Sequence, residues 1–332
     1  YTFEDLDPGT YIIRADAPRG WVNTYGLTNQ SPSFLNTSAS SETTSNFAYP
    51  NASTSLSDSL GSATGIAQIR SDTVYSKFKG KGQTVVIIDD GIQSSHPNFS
   101  GRVVYQYDFA DNDKNALDKF STHGTHVAGT AAGRYTGIAP EADIIMLKVC
   151  SDSNRFNALN SDVEAALNWV IDNADAYNIT SVNLSLGGGN DKSESIDSRS
   201  DEFLALKNLG VFVVAASGNG YYTHRTQGVA SPSSDPNVFS VGSVYTDDRG
   251  RQVENTAKNY STAKDTIAAS SQRSTSLTDV FAPGGEVYSS THASTGYEYW
   301  DTYTPNSYDW LSGTSMASPQ VTGFAAIAQQ AA

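Results

Sequence analysis

The sequence predicts an α/β fold: a three-layer α/β/α, doubly wound arrangement around a mostly parallel sheet. Two observations predict it. Short apolar runs recur at 84–88, 144–149, 181–186, 211–216 and 238–244. Between several of them lie segments with helical spacing, such as "SDVEAALNWVIDNADAY" at 161–177. Apolar strands that alternate with helices imply a parallel sheet covered on both faces. In such folds, sites collect at the carboxyl ends of strands. Asp89, Ser185 to Gly188, and Gly218 with Asn219 all fall at such ends.

The chain divides into three parts. Residues 1–25 alternate apolar and polar residues around a Pro-Gly turn, the pattern of a β-hairpin. They resemble the closing strands of small β-sandwich repeats in bacterial surface proteins. Residues 26–64 are dominated by Ser, Thr and Asn and contain no Lys or Arg, the composition of a linker. Residues 65–332 carry the α/β pattern. Tyr rather than Met at position 1 reads as a trimmed chain, with upstream surface or propeptide domains as expected neighbours.

With 38% hydrophobic and 17% charged residues, the 332-residue chain can bury a large core. A formal charge of -14 argues against nucleic acid or an anionic membrane as partner. No apolar run approaches the roughly 18 residues that a membrane helix needs. The single Cys150 excludes an internal disulfide and, after the run "IIMLKV", reads as a small buried side chain.

Four short stretches carry candidate chemistry, each with a plain alternative. Asp89 ends the run "VVIID" and on its own fits a ribose ligand, a phosphoacceptor or a loop acid. His123 in "STHGTHVAGTAAG" precedes a helix of small residues; imidazole is the usual general base near neutral pH, but a lone histidine is often structural. Ser315 in "LSGTSMASPQ" sits where a Gly-Thr turn enters a helix, with Pro319 placed in its first turn. It fits a nucleophile beside a helix N-terminus or a capping serine. Asn219 in "VFVVAASGNG" ends a strand and fits an ordinary turn. The glycines of "SLGGGN" invite a phosphate cradle, which the lack of a following helix and of a P-loop lysine argues against.

Together the four resemble the subtilisin-like serine protease family. Asp, His and Ser occur in that order, 34 and 192 residues apart, within "IIDDG", "HGTHVAGT", "NLSLGGG", "AASGN" and "SGTSMASP". The resemblance covers roughly residues 65–330 and implies a serine endopeptidase with no cofactor required for its chemistry. It implies Ser315 as nucleophile, His123 as general base, Asp89 as its orienting acid, and Asn219 with the Ser315 backbone N–H as oxyanion donors. Protein or peptide substrates would add as a strand. Their walls would be Ser185, Leu186, Gly187 and Gly188, then Ala216, Ser217 and Gly218, with a facing edge from Asp152 to Phe156.

Departures from the family pattern shape further expectations. The stretch after His123 runs through without a calcium-binding insertion, as in proteinase K-like enzymes, and Asn98 replaces the acid often found after "HP". Two other places are candidates for structural calcium. Asp279 in "LTDVFAPG" matches an acid that binds a cation in relatives. Asp108, Asp111 and Asp113 resemble a calcium loop of the kexin-furin branch, with a solvated acidic loop as the plain alternative. That branch also carries a second Asp after the catalytic one, so Asp90 is expected to favour a basic residue two places before the scissile bond. Asn190 and Asp191 only partly match the branch's other pocket acids, which points to broad specificity with a mild basic preference there or immediately before the bond. The expected location is secreted or at the cell surface. The alternative from another class is a catalytically idle adhesion or binding module. An acid-active Ser-Glu-Asp enzyme is disfavoured by His123 in its full motif.

Overall fold

The computed structural model describes residues 77–117, 121–152, 158–248, 250–254, 257–291 and 307–332. The hairpin expected at 1–25, the linker expected at 26–64 and the boundary at 65 lie outside the described residues.

All five apolar runs become strands: β1 (Thr84–Asp89), β3 (Asp143–Lys148), β4 (Ile179–Leu184), β6 (Phe212–Ala216) and β8 (Phe239–Tyr245). Two further strands, β2 (Val103–Asp108) and β11 (Val280–Gly285), complete a seven-stranded sheet in the order β11-β8-β6-β4-β1-β3-β2. Every pairing in it is parallel. β2 and β11 escape the sequence pattern because they are edges. β2 is largely half-exposed, and β11 contains Pro283, which an edge strand tolerates.

Alternate residues of one strand feed two cores. Val85 and Ile87 of β1 pack with Val127, Ala128 and Ala131 of helix α1 (His123–Ala132). They also meet Met316, Ala326 and Ile327 of helix α5 (Thr314–Ala331). Val86 and Ile88 face the other way, toward Val163, Ala166, Leu167 and Val170 of α2 (Asn160–Asn173) and Phe203 and Leu206 of α3 (Ser200–Asn208). Full burial of each such side chain contributes about 1.5–3 kcal/mol. That is why Val85 to Ile88 are all aliphatic before the strand ends at Asp89. The result is the expected α/β/α sandwich.

Short elements decorate the carboxyl-end side: helix α4 (Tyr221–His224), and three antiparallel pairs. β5 (Gly188–Asp191) pairs with β7 (Val229–Ser231), β9 (Gln252–Glu254) with β10 (Ala257–Asn259), and β12 (Val287–Thr291) with β13 (Ser307–Leu311). A strand, β5, begins at Gly188 within "SLGGGN" where a phosphate cradle would need a helix, consistent with setting the cradle aside.

The β12–β13 hairpin leads directly into α5 and is tied to α1 by buried polar groups. His126 Nε2 donates to the carbonyls of Val287 (3.0 Å) and Asp309 (3.3 Å), while Ser289 Oγ and Ser290 Oγ donate to the carbonyls of His126 and Thr125. Asn98 joins the knot through Thr136 Oγ1 (2.8 Å) and Ser290 Oγ (3.3 Å).

Candidate active site

Three strand ends and two helix starts build the site. At the end of β1, Asp89 is 4% exposed and its Oδ1 accepts from His123 Nδ1 at 2.8 Å. The same oxygen accepts the Asp90 backbone N–H (2.8 Å), while Asp89 Oδ2 is buried without a partner among the described residues. A carboxylate left half-served in the interior is costly, and its one strong side-chain partner is the imidazole. With Nδ1 donating, Nε2 carries the lone pair of the neutral ring.

His123 is the first residue of α1 rather than a residue before it. The helix start is fixed from two directions: Ser121 Oγ accepts the His123 N–H at 3.1 Å, and Asp90 Oδ1 accepts the Gly124 N–H at 2.7 Å. A carboxylate there also meets the positive end of the helix dipole. The second aspartate of "IIDDG" therefore anchors the helix that carries the imidazole.

Ser315 lies in the first turn of α5, and Pro319 lies in the second turn, not the first. The shift has a consequence. Proline has no N–H, so the Ser315 carbonyl loses its helical i+4 donor. Ser185 Oγ supplies the missing bond at 2.8 Å, and Ser315 Oγ reaches the Ser185 carbonyl at 3.4 Å. Ser185, just beyond β4, is itself held by Asn183 Nδ2 at 2.9 Å.

Beyond β6, Asn219 Oδ1 accepts from Thr314 N–H (2.9 Å) and Thr314 Oγ1 (3.1 Å). An N–H can only donate, so the carboxamide oxygen is fixed toward α5 and Nδ2 is the outward donor. Asn219 is exposed, and neither its Nδ2 nor the Ser315 N–H has an acceptor among the described residues. Two unspent donors thus flank the Ser315 hydroxyl.

The expected substrate walls separate into two kinds. Gly187, Gly188 and Gly189 are exposed, Leu186 and Gly218 half-buried. Gly187 has φ +152°, and a Cβ there would lie 2.4 Å from the Ser231 carbonyl oxygen. Ser185, Ala216 and Ser217 are buried instead, and Ser217 Oγ donates to the Gln272 carbonyl at 2.7 Å. These three support the walls from behind. Of the facing edge, 153–156 lie outside the described residues.

A model of the subtilase family matches residues 80–332. This chain belongs to the subtilase family. It is 34% identical over 257 residues to alkaline serine exoprotease A of Vibrio alginolyticus, covering 77% of this chain and 40% of that one. It is 31% identical over 270 residues to subtilisin-like protease 3 of Arthroderma benhamiae, covering 80% of this chain and 57% of that one. The chain thus spans about half the length of these relatives. The fold matches the crystal structure of a cold adapted subtilisin-like serine proteinase with a TM-score of 0.58 and 32% identity, covering 77% and 78% of the two chains.

In this subtilase the acidic loop after β2 holds an ammonium. Lys148, 2% exposed, bonds Asp108 Oδ2 and Asp152 Oδ1 (3.0 Å) and lies 3.7 Å from Asp111 Oδ2. Burial pulls its pKa down, but the bonds to Asp108 and Asp152 outweigh that and hold it above its ordinary value. Asp113 Oδ1 accepts the Asn115 N–H at 2.7 Å, and the carboxylate grouped with Asp108 and Asp111 is that of Asp152. Lys148 offsets one of the three carboxylate charges, and Asp108, Asp111 and Asp152 still place carboxylate oxygens within 4.8 Å of one another. Asp279 Oδ2 accepts the Ser240 N–H at 2.8 Å, and Asp279 belongs to none of the clusters of three acidic, imidazole or thiol groups among the described residues.

Two further groups lie near Asp89 and His123. Cys150 is half-buried rather than buried, and burial together with Asp89 and Asp90 pushes its thiol up to about 12, so it is inert as a thiolate. His126, one turn after His123, is driven down to about 3 by burial, and its Nδ1 has no partner among the described residues.

Proposed function

We propose that this subtilase is a serine endopeptidase, secreted or surface-associated, that hydrolyses peptide bonds through an acyl-enzyme. The observation that carries the reading is the 2.8 Å bond from His123 Nδ1 to the buried Asp89 carboxylate. It presets the imidazole tautomer at the C-terminal edge of a sheet that also delivers Asn219, whose carboxamide is bonded to Thr314 beside Ser315 at the start of α5.

In this mechanism His123 Nε2 takes the Ser315 Oγ proton as the oxygen attacks the substrate carbonyl, and then returns it to the leaving amine. Asp89 orients the ring and stabilises its charged form. The Ser315 N–H and Asn219 Nδ2 donate to the oxygen as negative charge develops, which is where preorganised donors matter most. Water then attacks the acyl-enzyme by the same route. Substrate lies as an extended strand against the exposed Gly187–Gly189 segment, its backbone giving affinity and its side chains selectivity.

Specificity in this reading is broad with a mild preference for a basic residue two places before the scissile bond. Half-buried Asp90 supports that preference, its carboxylate placed beside His123. Weak discrimination immediately before the bond is supported by the engagement of both candidate groups there. Asn190 Oδ1 accepts from Gln272 Nε2 (2.9 Å), and Asp191 Oδ2 from Ser234 Oγ (2.6 Å). The surface location rests on the repeat-like residues 1–25 and the Ser/Thr/Asn-rich segment after them.

Profiling cleavage of a proteome-derived peptide library tests the reading, with Ser315→Ala as control and with and without a chelator. Cleavage by the native chain alone is the expected result. A folded native chain that cuts no peptide would leave the idle binding module as the better account.

A further inference from the structure

Gln272 is 3% exposed and has no place in the triad, yet its carboxamide bonds residues that directly continue both walls of the proposed pocket, Gly189 and Asn190 on one side and Gly220 on the other. Its Oε1 accepts the Gly220 N–H at 3.1 Å. Its Nε2 donates to the Gly189 carbonyl (3.0 Å) and to Asn190 Oδ1 (2.9 Å). Its backbone N–H donates to the Gly218 carbonyl at 2.7 Å. Asn219 therefore sits between two residues that are both bonded to Gln272.

The approach is close. Gly218 has φ +102°, and a Cβ there would fall 2.2 Å from Gln272 Oε1. The glycine before the proposed oxyanion donor is thus packed most tightly against this side chain, with Ala230 Cβ next at 3.0 Å. Gln272 is also presented from a fixed segment. The Gly228 N–H donates to the Arg273 carbonyl, Tyr221 N–H donates to the Ser270 carbonyl, and the Arg273 guanidinium lies 3.4 Å from the Tyr221 ring centroid. These contacts, and the backbone bond to Gly218, do not depend on the Gln272 side chain.

We propose that Gln272 is a positioning residue that couples the pocket wall at 189–190 to the oxyanion donor Asn219. The inference rests on the serine endopeptidase reading above. A carboxamide suits the position because it offers an acceptor to one wall and donors to the other at one fixed span. Glutamate keeps the acceptor for Gly220 but turns a carboxylate oxygen toward the Gly189 carbonyl. Methionine fills similar space and offers neither wall a comparable hydrogen bond.

The test is a kinetic cycle on Gln272→Met, Gln272→Glu, Asn219→Ala and the Met/Ala double variant. Peptide substrates differ only in the residue before the scissile bond, and active sites are counted by fluorophosphonate titration. A native chain that takes up no label would sink the enzyme reading itself, before this inference is reached. With a labelled native chain, Gln272→Met should lower kcat about tenfold to a hundredfold, the scale of a misplaced catalytic donor. It should cost nothing further in the Asn219→Ala background, because it acts through that residue. Gln272→Glu should keep most of kcat and lose discrimination among the substrates. Loss of thermal midpoint with kcat per active site unchanged would overturn the proposal, and so would additive losses in the cycle.

Discussion

Ser185 and Ser315 exchange hydrogen bonds across the site: the Ser185 hydroxyl donates to the Ser315 carbonyl at 2.8 Å, and the Ser315 hydroxyl to the Ser185 carbonyl at 3.4 Å. The first bond exists because Pro319 cannot supply the helical donor. The segment just beyond β4 therefore also completes the helix that carries Ser315.

Removing that donor should be felt in stability and in rate. Ser185→Ala leaves a carbonyl without its partner, a loss of about 1–3 kcal/mol. Pro319→Ala restores an N–H at the right helical position, so it should recover part of that loss in the Ser185→Ala background and little in the native one. Denaturant unfolding of the four proteins measures the cycle. Equal effects of Pro319→Ala in both backgrounds would refute the link.

Thr314 fixes the Asn219 amide through its N–H and Oγ1, while its Oγ1 also accepts the Gly218 N–H at 3.1 Å. Thr314→Val keeps the shape and deletes the hydroxyl. A fall in kcat of about tenfold, equivalent to about 1.4 kcal/mol, is expected with KM little changed. Asn219→Ala should cost more, about 10²–10³ in kcat, a magnitude already known from subtilisin itself. Steady-state kinetics on one peptide compares the two.

Buried His126 sets an acid limit. Its folded pKa of about 3 lies below the ordinary 6.5, so between those values the unfolded chain binds the extra proton. Its contribution to stability is complete above about pH 6.5 and is lost as pH falls toward about 3. Measured by urea unfolding at several pH values, the stability gap between native protein and His126→Asn should shrink as the pH drops. A gap that stays constant from pH 7 to pH 4 would contradict this account.

Lys148 is the cation of its own carboxylate cluster. Lys148→Met leaves Asp108 buried without its counter-charge, and breaking such a pair costs about 3–5 kcal/mol. The thermal midpoint should fall sharply, and pairing the change with Asp108→Asn should recover part of the loss. Failure of the second change to recover any stability would argue against the ion pair as the cause.

Asp90 has two proposed duties that can be separated. Asp90→Asn keeps an oxygen for the Gly124 N–H and removes the charge. Stability should change by less than about 1 kcal/mol, the usual scale of a cap. Preference for Lys or Arg two places before the scissile bond should disappear from a peptide-library profile. An unchanged profile would remove Asp90 from substrate selection.

Much of this was legible in sequence because the physics was local. Five apolar runs named the central strands, and the strand ends named Asp89 and Asn219. Edge strands β2 and β11 were missed because half-exposed or proline-containing segments carry little periodic signal. The contacts of Gln272 were missed because its partners, Gly189, Asn190, Gly218 and Gly220, lie 52–83 residues away and engage it largely through backbone atoms, which leave no residue-type signature. Lys148 was invisible for a related reason: it lies 40 and 37 residues from Asp108 and Asp111, and an acidic loop carries no mark in sequence of a distant ammonium beside it. Ser185 was named for its motif, but its bond to the Ser315 carbonyl follows from placing Pro319 in the second turn of α5.

The central claim is that Ser315, activated by the His123–Asp89 pair, is a nucleophile. Treating the native chain with a fluorophosphonate and mapping the adduct by mass spectrometry tests it most directly. The account predicts a single adduct on Ser315, absent in Ser315→Ala and strongly slowed in His123→Ala. A folded native chain that remains unlabelled, or that is labelled equally in His123→Ala, would contradict it.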